Sequence, residues 1–305
     1  MTASPVFLAV ALSLVSAVCY ATAAVVQERT AAGTPDLRDA LARVSWWWAV
    51  LLNATGALLH VVALRYGPLT LVQPLGALTL VVAVPLGSLA ARRRTSGTQW
   101  RGMALTLVGL TALLTATASG NAPDSTLRTT EVLLIALAAA TIIVALIRFA
   151  PSGLGFAAAS GIASGVGSTL AQKLAVGPAV SWSAAVVAVL TVAFAAAGLM
   201  LSQKAYRSGL GGPLALLTLV NPVTASVIGI TLLGEGFQYG ATGTLLALAG
   251  AAAAARGVVL LSRPQSHHDH PDGGYGRPRV PRPTKAETVP GLRPTRLFTG
   301  TSRAT

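Results

Sequence analysis

"TLVQPLGALTL" (Thr70–Leu80) and "TLVNPVTASVI" (Thr218–Ile228) each set an amide and a proline, Gln73-Pro74 and Asn221-Pro222, inside an otherwise apolar run. A proline within a helix has no N–H for the carbonyl four residues back, which frees the oxygens of Thr70 and Thr218. In hydrocarbon a freed carbonyl needs a partner, and an adjacent carboxamide offers one oxygen and two N–H donors. How the chain is read therefore turns on whether these runs cross lipid.

Composition says that they do. Of 305 residues, 53% are hydrophobic and only 10% charged, with a mean hydropathy of +0.67, outside the range of a soluble globular domain. A helix crosses a bilayer with about 20 residues. Largely uncharged stretches of that order follow one another at Pro5–Val26, Trp46–Leu64, Leu69–Ala90, Gly102–Ala118, Val132–Ile147, Ser152–Gln172, Trp182–Ser202, Leu214–Leu233 and Gly240–Leu261. The fold class predicted is an all-α polytopic membrane protein of nine transmembrane helices. Trp46, Trp47, Trp48, Trp100 and Trp182 all fall beside span starts, where an indole prefers the headgroup layer.

The single cysteine, Cys19, excludes an internal disulfide and a Cys-based zinc site. The first span lacks a basic leader region, and "SAVC" has valine where a lipoprotein signal needs a small residue, so the span reads as a retained helix. The net charge of +13 does not point to nucleic acid, because of where the basic residues fall. With nine spans, one side receives Arg29, Arg38, Arg43, Arg92, Arg93, Arg94, Arg101, Arg148, Lys204, Arg207 and the C-terminal tail; the other receives Arg65, Arg128 and Lys173. By the positive-inside rule the rich side is cytoplasmic, which puts the N-terminus outside and the C-terminus inside a plasma (inner) membrane. The partner implied throughout is the lipid bilayer.

Further pairs repeat in order. Gln27 and Gln172 are 145 positions apart, Arg65 and Arg207 are 142 apart, as are Gly67 and Gly209, and Gly109 and Gly250 are 141 apart; Pro74 and Pro222 are 148 apart. Such offsets indicate a duplicated four-span unit: 1–119 as the first repeat, 120–150 as a linking helix, 151–262 as the second and 263–305 as a tail. The lone fifth span reverses the second copy. Inverted repeats with interrupted helices at corresponding places are a sequence pointer to the solute site of a secondary transporter. The competing reading is that the prolines only kink helices and the amides tie neighbours together.

Other polar residues inside the spans widen the candidate site. Ser160, Ser164, Ser168 and Gln172 recur every fourth residue beside a small-residue stripe of Ala157, Gly161 and Gly165, a pattern that suits either cavity lining or close packing with each serine bonded to its own helix. His60 is the only histidine in a span, available for a solute contact or as a tie between helices. Arg256 reads as a snorkelling side chain. Glu28, Glu131 and Glu235 lie at span ends, with no acid near a midplane, so a divalent cation would pass largely hydrated, with Glu28 and Glu235 as mouth carboxylates or simply as interfacial groups facing water.

"ALRYGPLTLVQPLGALTLVV" (Ala63–Val82), the tryptophan cluster before it and "NPVTASVIGITLLGE" (Asn221–Glu235) resemble the drug/metabolite transporter superfamily, and within it the EamA-like and NIPA-type magnesium transporters, over about Phe7 to Leu261. The resemblance implies a carrier of small solutes or Mg²⁺, with Glu235 at the position of the glutamate that commonly closes this helix. Gly87 stands at the equivalent point of the first half, where an acidic residue is often found. No cofactor is expected; Mg²⁺ enters only as a transported ion. An exporter of organic metabolites and a non-transporting scaffold are the alternatives, while an intramembrane enzyme would need a nucleophile with a base, paired aspartates or HExxH, none of which the sequence contains. Residues 263–305 hold seven prolines and no apolar periodicity and read as disordered, and "HHDH" (His267–His270) as a flexible polar stretch or a loose metal site.

Overall fold

A computed structural model describes residues 4–34, 36–63, 65–66, 69–117, 129–176, 181–232 and 240–263. Among them are nine helices of 20 residues or more: α1 (Pro5–Ala32), α3 (Val44–Ala63), α4 (Leu69–Ala90), α5 (Gly97–Thr117), α6 (Thr129–Phe149), α7 (Gly153–Val176), α8 (Trp182–Ala205), α9 (Gly211–Leu232) and α10 (Gly240–Leu261). A six-residue helix α2 (Leu37–Ala42) and a 3-10 turn (Tyr206–Ser208) complete the described elements. Seven of the long helices are apolar and long enough to cross a membrane; α4 adds the shorter apolar stretch Leu75–Ala90. The protein is an all-α polytopic membrane protein. The tail and Glu235 lie outside the described residues.

Helix ends differ from the hydropathy boundaries for local reasons. α5 starts at Gly97 rather than Gly102 because Ser96 and Gln99 form a reciprocal capping box: the Gln99 N–H donates to Ser96 Oγ at 3.2 Å, and the Ser96 N–H to Gln99 Oε1 at 3.0 Å. α1 runs to Ala32, six residues past Val26, because Gln27 and Thr30 are buried against other helices instead of marking an exit to water. Trp47, Trp48, Trp100 and Trp182 are exposed as expected of headgroup anchors, whereas Trp46 is buried, edge-on to Trp47 at 4.9 Å between ring centroids.

The pairings of helices in the two halves match. α1 packs on α3 and α4, as α7 packs on α8 and α9; α4 touches α5 as α9 touches α10; α5 and α10 make the largest contact between halves. That contact is backbone against backbone. A Cβ at Gly109 would collide with the Gly250 carbonyl, and one at Gly250 would lie 2.6 Å from the Gly109 carbonyl oxygen. Seven residues along, a Cβ at Gly257 would lie 2.6 Å from the oxygen of Gly102. The lower number on one helix meets the higher on the other, so α5 and α10 run antiparallel. They touch at Gly109 and Gly250, the two residues matched in the sequence repeat, so a twofold axis across the helices relates the two sides of the contact, as an inverted duplication requires.

Hydrogen bonds repeat in the same way. Ser16 Oγ of α1 donates to the Gly56 carbonyl of α3 at 2.7 Å, and Ser160 Oγ of α7 donates to the Gly198 carbonyl of α8 at 2.7 Å. The bonded glycines Gly56 and Gly198 are 142 residues apart, as are Arg65 and Arg207, and the touching Gly109 and Gly250 are 141 apart. Gly209, which opens the α9 turn at φ 104°, needs a residue without a Cβ; its sequence partner Gly67 lies outside the described residues.

This register corrects the reading of the two prolines. At an offset of 142, Pro222 corresponds to Leu80 and Pro74 to Leu216. The amide-proline pairs are therefore six residues out of equivalence, about 9 Å along the helix and about 240° around it. Nor is either helix unwound: α4 and α9 are helical through Gln73-Pro74 and Asn221-Pro222.

Gly109→Ala should lower the thermal stability of the detergent-solubilised protein by about 1–3 kcal/mol through overpacking. Gly97→Ala, with open space around its Cβ, should change it by less than about 0.5 kcal/mol.

Candidate translocation site

The bundle has two unlike ends. At the arginine-rich end, charged side chains close helix termini. Arg43 Nη2 donates to the Gly33 carbonyl at 2.9 Å, Arg207 Nη2 to the Thr34 carbonyl at 3.0 Å, and Arg29 to the Ala90 carbonyl. A guanidinium on the last carbonyls of a helix satisfies orphan acceptors and suits the negative end of the dipole. These arginines thus have a packing role beyond the orientation signal read from their distribution.

Between the halves at this end lies a buried polar cluster. Gln27 of α1 and Gln203 of α8 are each 2% exposed, and Ser202 is 5% exposed. Gln203 Nε2 donates to the Gln27 carbonyl at 3.1 Å. Ser202 Oγ lies 3.5 Å from Gln27 Oε1, but its one proton goes to the Leu199 carbonyl at 2.8 Å, so the contact to glutamine is weak. Gln27 Nε2 and Gln203 Oε1 have no partner. Each unpaired buried group costs about 1–3 kcal/mol in the closed arrangement. The sequence paired Gln27 with Gln172 and passed over Gln203; the signal available was "SQK" (Ser202–Lys204), a polar triplet closing an apolar helix.

Glu28, a predicted mouth carboxylate, is half-buried at the same end. Glu28, Ser88, Arg93 and Gln99 line a cavity of about 30 Å³, room for a water molecule. A guanidinium in the same lining disfavours a second cation beside the carboxylate.

Towards the opposite end the polar side chains are more open. His60 is half-buried on α3, and a Cβ at Gly76 of α4 would lie 3.4 Å from its Cε1, so the imidazole rests on α4 within one turn of Gln73-Pro74. The side chains of Thr70, Gln73, Pro74 and Gln172 lie outside what is described. On α9, Thr218 Oγ1 donates to the Leu214 carbonyl at 2.7 Å, and Asn221, Pro222 and Thr224 are half-buried. The Asn221 carbonyl and the Thr224 side chain sit against Gly165 of α7, where a Cβ would approach them to 2.7 and 2.8 Å.

The serine stripe of α7 divides. Ser160 is fully buried and bonded to α8, Ser164 is half-buried beside Gly198, and Ser168 is exposed with its hydroxyl on the Gly165 carbonyl at 2.9 Å. Gly161 and Gly165 form the separate face that meets α9. The stripe is therefore not one cavity wall: its inner part is a helix contact and its outer part is open. The structure brings together His60 with α4 and Asn221 with α7. Among the described residues, no three of His, Cys, Asp and Glu are grouped to hold a metal.

Residues 2–150 match the family model of the magnesium transporter NIPA. The match runs from before α1 to just past α6, the first set of paired helices and the helix linking it to the second. No curated protein and no solved structure matches the chain. The likeness to NIPA and the run of apolar helices support a membrane transporter and give no support to an enzyme.

Ser16→Ala and Ser160→Ala should each cost about 0.6–1.7 kcal/mol, the range of hydrogen bonds between membrane helices. The two losses should agree within a few tenths of a kcal/mol, by the usual scatter of matched sites. Ser168→Ala, which removes only a bond within α7, should leave the melting temperature unchanged.

Proposed function

We propose that the protein carries a small solute across the plasma membrane by alternating access, with Mg²⁺ in largely hydrated form as the leading cargo. The observation that carries this reading is the twofold contact of α5 with α10, set beside the NIPA likeness of residues 2–150. Two antiparallel copies of one bundle supply two access states from one set of contacts, since either copy can take the conformation of the other. The N-terminus is outside and the arginine-rich end faces the cytoplasm.

The solute path proposed runs along the half-buried polar groups of His60, Asn221, Thr224 and Ser164 and the outer part of α7 with Ser168 and Gln172. Gln73 and Thr70 are assigned to it from the sequence. Pro74, Pro222 and Thr218 belong to it through their backbones. All of these groups are neutral amides, hydroxyls, carbonyls and an imidazole. Such donors suit the water shell of Mg²⁺, which the ion gives up reluctantly. They also suit a polar organic metabolite, the second reading, which the presence of Arg93 in the cavity beside Glu28 favours.

Proteoliposomes carrying a Mg²⁺ indicator, with parallel counterflow of labelled organic cations and metabolites, test both readings. Asn221→Ala and His60→Ala should each lower the flux about tenfold, the equivalent of about 1.4 kcal/mol lost from the path. Thr141→Ala, on the exposed face of α6, should not lower it. Wild-type flux in both path variants would remove the proposed path, and no flux of any solute would leave a scaffold.

A further inference from the structure

We propose that Gln27, Ser202 and Gln203, with the Arg207–Thr34 link, form a gate that closes the arginine-rich end, and that His60 and Arg65 belong to the counterpart gate at the opposite end. This rests on the alternating-access reading above.

Three observations carry it. First, the contacts cross between halves. Gln27 and Thr34 belong to the first unit and Ser202, Gln203 and Arg207 to the second, and the two bonds between them are 3.1 and 3.0 Å. Second, the cluster is shut but incompletely paired. Both glutamines are 2% exposed, yet Gln27 Nε2 and Gln203 Oε1 lack partners. A permanent seal in a membrane protein is apolar or fully bonded. A seal with a free donor and a free acceptor regains hydrogen bonds when water enters, which brings its closed and open states close in free energy. Third, the repeat register places a counterpart. Positions 142 before Ser202 and Arg207 are His60 and Arg65, and Gln172 is the residue matched to Gln27 in sequence. There the burial differs in part: His60 is half-buried where Ser202 is buried, and Ser168 and Ala171 are exposed, while Arg65 and Arg207 are both exposed. The cluster buries its own end, while the described positions related to Gln27 and Ser202 at the other end are half-buried or exposed, a difference that suits alternation in a single conformer.

The test uses a Cys19→Ser, Ser168→Cys protein in liposomes and the rate at which a membrane-impermeant maleimide labels the new thiol. Gln27→Asp with Gln203→Asp places two like charges in the seal and should force it open, closing the opposite end and slowing labelling about tenfold. Gln27→Leu with Gln203→Leu removes the groups that water would satisfy and should hold the seal shut, keeping labelling at or above the parent rate while solute flux, measured without the reporter cysteine, falls about tenfold. Monodisperse elution of both variants keeps misfolding apart from gating. Equal labelling in both pairs with normal flux overturns the gate and leaves the carrier reading standing. Opposite labelling shifts in a protein that moves no tested solute uphold the gate and count against the carrier reading.

Discussion

The rest of the bundle depends on the crossing of α5 and α10, where glycines bring two backbones together without an intervening side chain. Lipid offers no hydrophobic drive for helices to associate, so their contact must come from packing and close polar approach. Gly102, Gly109, Gly250 and Gly257 supply both. The geometry is also self-limiting. Because Gly109 and Gly250 stand on the symmetry axis, any motion that exchanges the two halves leaves their contact in place. In the alternating-access reading proposed above, the crossing is the fulcrum and motion falls to the contacts of α1 with α8 and α4 with α9.

Much of the architecture is legible in the sequence because hydrocarbon imposes one simple rule. A run of apolar residues long enough to span must be helical, so the nine long helices among the described residues follow from hydropathy. The failures have equally local causes. Gln27 and Thr30 look like an exit to water, yet they are buried by α8 and α3, so α1 seems to stop six residues early. Trp46 carries the same signal as Trp47 and Trp48 but lies on the inward face of its helix.

The two prolines teach a sharper lesson. "TLVQP" and "TLVNP" match well as words, but membrane helices draw on few residue types, so short matches arise at several offsets. Contacts in the flanking helices give the register instead, 142 for Gly56 with Gly198 and 141 for Gly109 with Gly250, and at 142 the two words stand six residues apart. Other matched pairs do coincide with contacts between helices. Gly109 and Gly250 touch, and Ser16 and Ser160 make the same bond to equivalent glycines. Of the candidate site, the sequence named the half-buried groups His60, Asn221 and Ser164 but missed Gln203, because a lone amide near a helix end carries no pattern of its own.

The departure from symmetry bears on direction. Under the 142-residue register Gln203 matches Val61, so the end opposite the arginines cannot build the same amide contact. It has His60 where the closed end has Ser202, a larger ring that rests on α4 at Gly76. The arginines add a second asymmetry: Arg29, Arg43 and Arg207 tie the end of α1 to its neighbours, while the opposite end has only Arg65 and Lys173 among the described basic residues. Opening the arginine-rich end breaks charge-assisted bonds to carbonyls, each stronger than a neutral one. In the gating proposed above, the bonds of Arg29, Arg43 and Arg207 therefore weigh towards a shut arginine-rich end.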